Sequence, residues 1–542
     1  MTGAELFVSE LKTRGVEWMS TLCGHGLSPL YAACQKAGLR LVDTRNEQTA
    51  AYMAECWGRL SRRVGICAVS SGVAHANAMT GVVNAYFDGA PMLLITGAGP
   101  LRTAGMGHFQ DLDQVALAQP VCKYARVIDV PERIPQFVHE AFAAAISGRP
   151  GPVHLTFPVD VQEAAVDPSK RVGRMGMPVL QGRKVADESL VAQAADLLGK
   201  SRRPLLIAGT GAYYAGAEQA LADFVASQAV PVVVPIWDRG AVPEPIPQFM
   251  GVLGAASGGP RLLADADLLL MVGAAFDYRV GYLLPPSVSE QVTIIRVDVD
   301  STRLHTGVAA ELTIEADACS ALEQLTRECA RRSLPPHTEW LADAQQRRDE
   351  FTAEILASAK RGNSVHALDI IDALQTTVTE ETVLVVDGGN IGQWFHQTFC
   401  DRYPSRYLTC GASAVVGFGI AGAMAAKVGF PNRPVILLSG DGSMTFTIAE
   451  LECAVRQGLP FVVIVADDEA WGITAAAHVK QFGRTIASTL GPIRFDLLAQ
   501  SFGARGVRVS HADEIASAIR EGLSADRPTV IHVPIVGGMP GE

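Results

Sequence analysis

Gly440-Asp441-Gly442-Ser443-Met444 and Asp467-Asp468-Glu469-Ala470-Trp471-Gly472 are the residues of this chain best suited to chemistry. An apolar run, Pro434 to Ser439, leads into Gly440. The glycines let the backbone turn tightly and approach an anion. Asp441 offers a hard carboxylate oxygen, the donor type that Mg²⁺ prefers. A helical stretch, Ile448 to Gln457, precedes a second expected strand, Phe461 to Ala466, which delivers Asp468 and the carbonyl of Ala470 to the same edge. In a parallel sheet the carboxyl ends of the strands are where ligands gather. The pattern reads as a site for a diphosphate held through a divalent metal. The competing reading is an ordinary strand-turn-helix with acidic turn residues.

The elements that must position such a site follow from composition and pattern. At 542 residues the chain exceeds one domain's core and divides into about three. Apolar content of 48% and repeated strand-helix alternation predict an α/β protein of doubly wound parallel sheets. The expected blocks are 1–165, 188–335 and 360–542. Ala164 to Asp187, with Pro168-Ser169-Lys170-Arg171 and Gln181-Gly182-Arg183-Lys184, reads as an exposed linker, and His337 to Gly362 as a helical connection. Gly209-Thr210-Gly211 follows a buried strand, but without a full GxGxxG a bare turn is the better reading. Net charge of -11 argues against a nucleic-acid or anionic-membrane surface. No apolar run has transmembrane length and Met1 to Leu6 lacks a signal-peptide pattern. Ten cysteines without CxxC pairing (among them Cys23, Cys122 and Cys400) predict buried thiols, no zinc site and a reducing, cytoplasmic location.

The two opening segments resemble the GDG-to-NN motif of the thiamine-diphosphate enzymes, with residues 443 to 466 giving the family's spacing. The family's paired asparagine is Asp467-Asp468 here, which adds negative charge beside the diphosphate. The resemblance implies Asp441, Asp468 and the Ala470 carbonyl as Mg²⁺ ligands. It implies Gly442, Ser443, Met444, Trp471, Gly472 and Ile473 as cofactor contacts. Asp387-Gly388-Gly389-Asn390-Ile391-Gly392 ends another expected strand and matches the position whose backbone meets the diphosphate, so Gly389, Asn390, Ile391 and Gly392 join the set. Cys410 to Gly419 is similar to the glycine-rich turn beneath the thiazolium ring. Ala414 would offer a backbone contact there, and Val416 would be the wedge that presses the two cofactor rings together.

The same family needs a carboxylate from its first domain to hydrogen-bond the aminopyrimidine. Arg45-Asn46-Glu47-Gln48 looks like the RHEQ-type motif that supplies it, with Glu47 at the catalytic position. Alone, Glu47 would read as a first-turn glutamate serving the helix dipole. Val69 to Asn77 is similar to the TSGPGxxN turn, with Val73 and Ala74 at two altered positions, and contributes Gly72 and Asn77. Phe109-Gln110-Asp111-Leu112-Asp113 with Pro120 and Lys123 resembles acetolactate synthases and places Gln110 toward the reacting carbon. His25 in Gly24-His25-Gly26 ranks first as a proton-transfer histidine, ahead of His108 and His478.

The resemblance, running from Gly24 to about Val533, implies a pyrimidine-binding, a central and a diphosphate-binding domain. It also implies a carbon-carbon lyase or carboligase acting on 2-oxo acids, 2-hydroxy ketones or aldehydes, as in acetolactate synthase or benzaldehyde lyase. The alternative is a 2-hydroxyacyl-CoA lyase or oxalyl-CoA decarboxylase type. Against that alternative stands the short stretch Pro534 to Glu542 after the last expected strand, because CoA-using relatives carry a closing segment there. A homologue that binds cofactor but has lost catalysis is the reading of another class. Gly273 to Val280 resembles a middle-domain segment of acetolactate synthases, some of which bind FAD, but no flavin is expected. In this family the two half-sites meet between subunits, so a homodimer or homotetramer is expected.

Overall fold

The computed structural model describes residues 1–179, 182–238, 242, 246–362, 364–399 and 406–541. Gln181 of the expected linker and Cys400 lie outside the described residues. Three six-stranded parallel sheets follow one another along the chain. The first comprises β1 (Trp18–Leu22), β2 (Arg40–Asp43), β3 (Gly65–Val69), β4 (Met92–Ala98), β5 (Ala125–Val127) and β6 (Pro152–Pro158). Its order is β2-β1-β3-β4-β6-β5. The second holds β7 (Pro204–Ala208), β8 (Val232–Pro235), β9 (Phe249–Leu253), β10 (Leu268–Val272), β11 (Thr293–Asp298) and β12 (Leu312–Glu315). Its order, β12-β11-β10-β7-β8-β9, places the topological switch between β7 and β10.

The third sheet contains β13 (Val383–Asp387), β14 (Arg406–Leu408), β15 (Val435–Gly440), β16 (Val462–Asp467), β17 (Arg505–Arg508) and β18 (Thr529–Pro534). It runs β14-β13-β15-β16-β18-β17, so the first and third sheets share one topology although their sequences show no repeat. The central strands are buried on both faces, which is why they read as unbroken apolar runs rather than alternating ones. The helix Thr338–Ser358 connects the second sheet to the third. Among the described residues no helix is long and apolar enough to cross a membrane.

The buried helix Glu47–Ser61 packs between the first and third sheets. Asn46 caps it by accepting from the Gln48 N–H, and most of its length is buried. Tyr52, Met53 and Cys56 share a core with Phe418, Ile420 and Met424 from the third unit. Arg59 lies at the centre of this junction, 3.2 Å from Glu55 and 2.8 Å from Asp88, and donates to the Thr409 carbonyl. A buried guanidinium with a full set of acceptors is tolerated, whereas one left unpaired costs about 3–5 kcal/mol.

Two expectations are corrected here. The helix expected over Ile448 to Gln457 is present at Glu450–Arg456, but the stretch before it, read as a turn, holds a second short helix, Asp441–Thr447. Gly440, extended and directly at the strand end, caps it, so the chain turns from strand to helix without an intervening loop. Seven of the nine described cysteines are buried as expected, but Cys122 is half-buried and Cys23 is exposed, because it follows β1 in a surface turn.

A buried histidine pair in the first unit makes stability pH-dependent. His75 and His154 stack at 4.6 Å, and three of their four ring nitrogens have no partner. The fourth, His154 Nε2, lies 2.8 Å from the Thr96 hydroxyl. Burial pushes His75 down to about 4, and burial plus the neighbouring ring holds His154 well below the ordinary 6.5. Both folded values lie below the unfolded value, so the unfolded chain binds more protons as pH falls through 6.5, and stability is lost. His75→Leu is expected to lose about 2 kcal/mol less than the native chain between about pH 7.5 and about pH 5. Chemical denaturation at both pH values checks this, and equal acid losses would refute it.

Candidate active site

The residues expected to hold a diphosphate gather at the carboxyl ends of β13, β15 and β16. After β13, Gly388 takes a left-handed φ of 52° and leads into the helix Gly389–Thr398. A Cβ at Gly388 would lie 2.7 Å from Val416 Cγ1 and also strike the Ser443 hydroxyl, so this close approach requires glycine. Gly442 is constrained in the same way: a Cβ there would reach the Trp471 ring at 2.7 Å. Gly472 packs against Asp468 and Asn390. Gly389, Asn390, Ile391, Gly392, Gly442, Ser443, Met444, Trp471 and Gly472 are thus brought to one sheet edge, with Ile391 and Met444 buried behind it. Ile473 follows half-buried in the helix Gly472–Phe482.

Asp387 builds the turn beneath this edge. It is fully buried, and its two oxygens accept the Gly417 and Gly419 N–H groups at 3.0 and 2.8 Å. Burial raises its carboxyl to about 7. The first unit holds the other end of the same turn: Asp88 accepts from the Ala412 N–H at 2.8 Å, and Ser413 donates to Asn84. Ala414 and Val416 lie between these anchors, Ala414 with φ +55°.

Asp441, Asp467 and Asp468 crowd together. Burial first, then Asp468 and Asp467, raises Asp441 to about 7. Burial and Asp467 likewise raise Asp468, opposed by a hydrogen bond from Asn390. Carboxylates forced together out of water call for a cation. The Asn390 Oδ1 and Ser443 Oγ atoms beside them are buried with no partner, as expected of groups awaiting a polar ligand. Among the described residues no three His, Cys, Asp or Glu side chains are grouped to hold a metal. The expected ligand set has two side chains and a main-chain carbonyl, the remainder being left to a ligand's own oxygens. The edge therefore fits a metal-diphosphate group.

The second cluster forms on the first sheet. Glu47, half-buried, accepts from Asn77 Nδ2 at 3.1 Å. Gln110, at φ +54°, accepts from the Ser71 hydroxyl at 3.2 Å and packs on Gly72. The exposed His25 ring lies 5.5 Å from His108 and 5.2 Å from Phe109. His478 stands on another helix, beside Phe482, and does not join this group. Gln110, His108 and Phe109 line a cavity of 530 Å³ whose walls are all first-unit residues.

Among the described residues no hydrogen bond or ion pair joins Glu47, Asn77, Gln110 or His25 to Asp441, Asp468 or Trp471. Each half instead borders exposed apolar side chains, Val73 (63%) and Phe109 (62%) on the first and Val479 (51%) and Phe482 (53%) on the third. Sequence reasoning missed three positioning residues. Gln114 links the Gly72 N–H to the Gly97 carbonyl, Asp387 organises the glycine-rich turn, and His532 contacts Asp467. Only Asp387 carried a signal, as an acid at a strand end.

A separate cavity of 620 Å³ opens at the switch point of the second sheet. Thr210 and Gly211, read above as a bare turn, line it together with Gly273, Arg149, Asp298 and Arg303.

Three family models match successive stretches of the chain. They are described as thiamine pyrophosphate enzyme, N-terminal TPP binding domain (residues 1–117), central domain (191–325) and C-terminal TPP binding domain (387–533). Among curated relatives, a probable acetolactate synthase large subunit of Methanocaldococcus jannaschii is 27% identical, covering 99% of this chain and 92% of its own. A 2-hydroxyacyl-CoA lyase 2 of Caenorhabditis elegans is 29% identical over 97% of this chain and 87% of its own. The acetolactate synthase isozyme 2 large subunit of Escherichia coli is 28% identical over 99% and 96%.

Proposed function

This chain belongs to the thiamine pyrophosphate enzymes, and on that premise we propose that it is a carbon-carbon lyase or carboligase acting on 2-oxo acids, 2-hydroxy ketones or aldehydes. The observation that carries the reading is the pairing of crowded carboxylates with partnerless Asn390 and Ser443 at the third sheet's edge. We take 1–165 as the pyrimidine-binding domain, 188–335 as the central domain and 360–542 as the diphosphate-binding domain.

When bound, thiamine diphosphate supplies a carbon nucleophile and an electron sink for breaking or making a bond beside a carbonyl. Asp441, Asp468 and the Ala470 carbonyl would hold Mg²⁺. Asn390, Ser443 and the N–H groups opening the helix at Gly389 would bind the diphosphate. Val416 presents its methyl groups beside Gly388, where they would press on the ring system. Glu47 would hold and exchange a proton at the pyrimidine ring nitrogen, kept in place by Asn77. Gln110 and His25 would orient the substrate carbonyl and move its proton.

The exposed apolar rims support a homodimer, assembled further into a tetramer, in which Glu47 of one copy faces Asp441 of another. A cytoplasmic location and absence of flavin complete the reading. A yellow purified protein would instead give the 620 Å³ cavity to a flavin.

Loaded with thiamine diphosphate and Mg²⁺, the protein is expected to release one CO₂ for every two molecules of pyruvate consumed and to form a five-carbon product. Silence with cofactor demonstrably bound would move the substrate to hydroxy ketones or 2-hydroxyacyl-CoA esters cleaved without decarboxylation. Failure on every carbonyl substrate would favour the non-catalytic homologue.

A further inference from the structure

The motif departure Asp467-Asp468 has a structural counterpart on the neighbouring strand. Asp467 ends β16, and its Oδ1 accepts the Glu469 N–H at 3.2 Å. That bond closes the turn in which the exposed Glu469 sits at φ +52°, a conformation that costs a non-glycine residue about 1 kcal/mol. An asparagine Oδ1 could accept the same bond, so this half of the side chain's work does not need the charge. The second carboxylate oxygen is what aspartate adds. It lies 2.8 Å from Nε2 of His532, which stands on β18 in register with Val465 and is 2% exposed.

The other ring nitrogen is engaged too. His532 Nδ1 lies 3.3 Å from Asp496, and Arg494 makes two bonds to that carboxylate at 2.9 and 2.7 Å. The Phe495 ring meets His532 edge-on at 5.4 Å. The exposed Arg494 and the buried Asp496, His532 and Asp467 thus form one continuous chain ending under the turn that carries Asp468 and Ala470. Both oxygens of Asp467 are thus engaged from beneath the turn, while its carboxylate still lies beside Asp441.

We infer that His532 is the positioning residue of the metal-binding turn. By engaging the second oxygen of Asp467, it lets an aspartate do the turn-closing work of the family's asparagine. It also leaves Asp441, Asp468 and the Ala470 carbonyl as the groups offered to the cation. His532 touches neither metal nor diphosphate and acts only through Asp467. The inference rests on the metal-diphosphate reading of the site.

The test is Mg²⁺ affinity of the full chain at saturating thiamine diphosphate, read from the fluorescence of Trp471 and Trp394 beside the site. His532→Ala is expected to weaken Mg²⁺ by about tenfold or more, the usual consequence of losing a partner of a metal-site residue. His532→Gln, which keeps a donor toward Asp467, should stay within about threefold of the native chain. Asp467→Asn combined with His532→Ala should recover the affinity, because the oxygen needing the ring is gone. Native affinity in His532→Ala, or a double variant no better than the single one, would overturn the inference while the cofactor reading stood. A native chain that binds neither Mg²⁺ nor the cofactor would overturn both.

Discussion

Glu47→Gln is expected to lower turnover by about a thousandfold while leaving thiamine diphosphate bound. Glutamine has the shape of glutamate and keeps an oxygen for the Asn77 amide, which now sits 3.1 Å from the carboxylate. The helix cap at Asn46 and the core around Tyr52 and Met53 do not involve the Glu47 side chain, so folding should be spared. What is lost is a group able to hold and release a proton. A thousandfold corresponds to about 4 kcal/mol of transition-state stabilisation. Steady-state kinetics on the cofactor-loaded variant, with binding measured separately, reads the split, and native turnover would sink the mechanism.

Mixing two dead variants should restore activity. Asp441→Ala removes a carboxylate that is 5% exposed at the diphosphate edge and is expected to abolish metal-dependent cofactor binding. Glu47→Gln damages the other half. If the halves meet between copies, a heterodimer of the two variants carries one site with both halves intact and one with both lost. Random exchange then gives about a quarter of native activity. The exposed Val73, Phe109, Val479 and Phe482 side chains supply the apolar surface that such an interface covers. No recovery after co-refolding or co-expression would mean that each site is built within one chain.

How much of this was legible in advance depends on distance along the chain. Local patterns carried the three parallel sheets, since doubly buried strands such as Val383–Asp387 and Val462–Asp467 read as apolar runs. The glycines at 388 and 442 were legible as glycines, but not what they approach: Val416 and Trp471 lie 28 and 29 residues further along. The short helix Asp441–Thr447 was not foreseen, because nothing in Gly440-Asp441-Gly442 favours a helix. Only the strand feeding it and the packing around it do.

By itself, the sequence determined the repeated strand-turn-helix order and the chemistry at strand ends, because each depends on residues adjacent in the chain. It carried Asp441 and Asp468 as oxygen donors and Glu47 at the start of a helix. The tertiary structure alone decided that His532 sits under Asp467 and that Asp88 of the first unit holds Ala412 of the third. It also left the Glu47 and Asp441 clusters with no hydrogen bond or ion pair between them among the described residues. The two contacts join residues 65 and 324 positions apart. They arise from strand order and helix packing, and neither leaves a local mark in the chain.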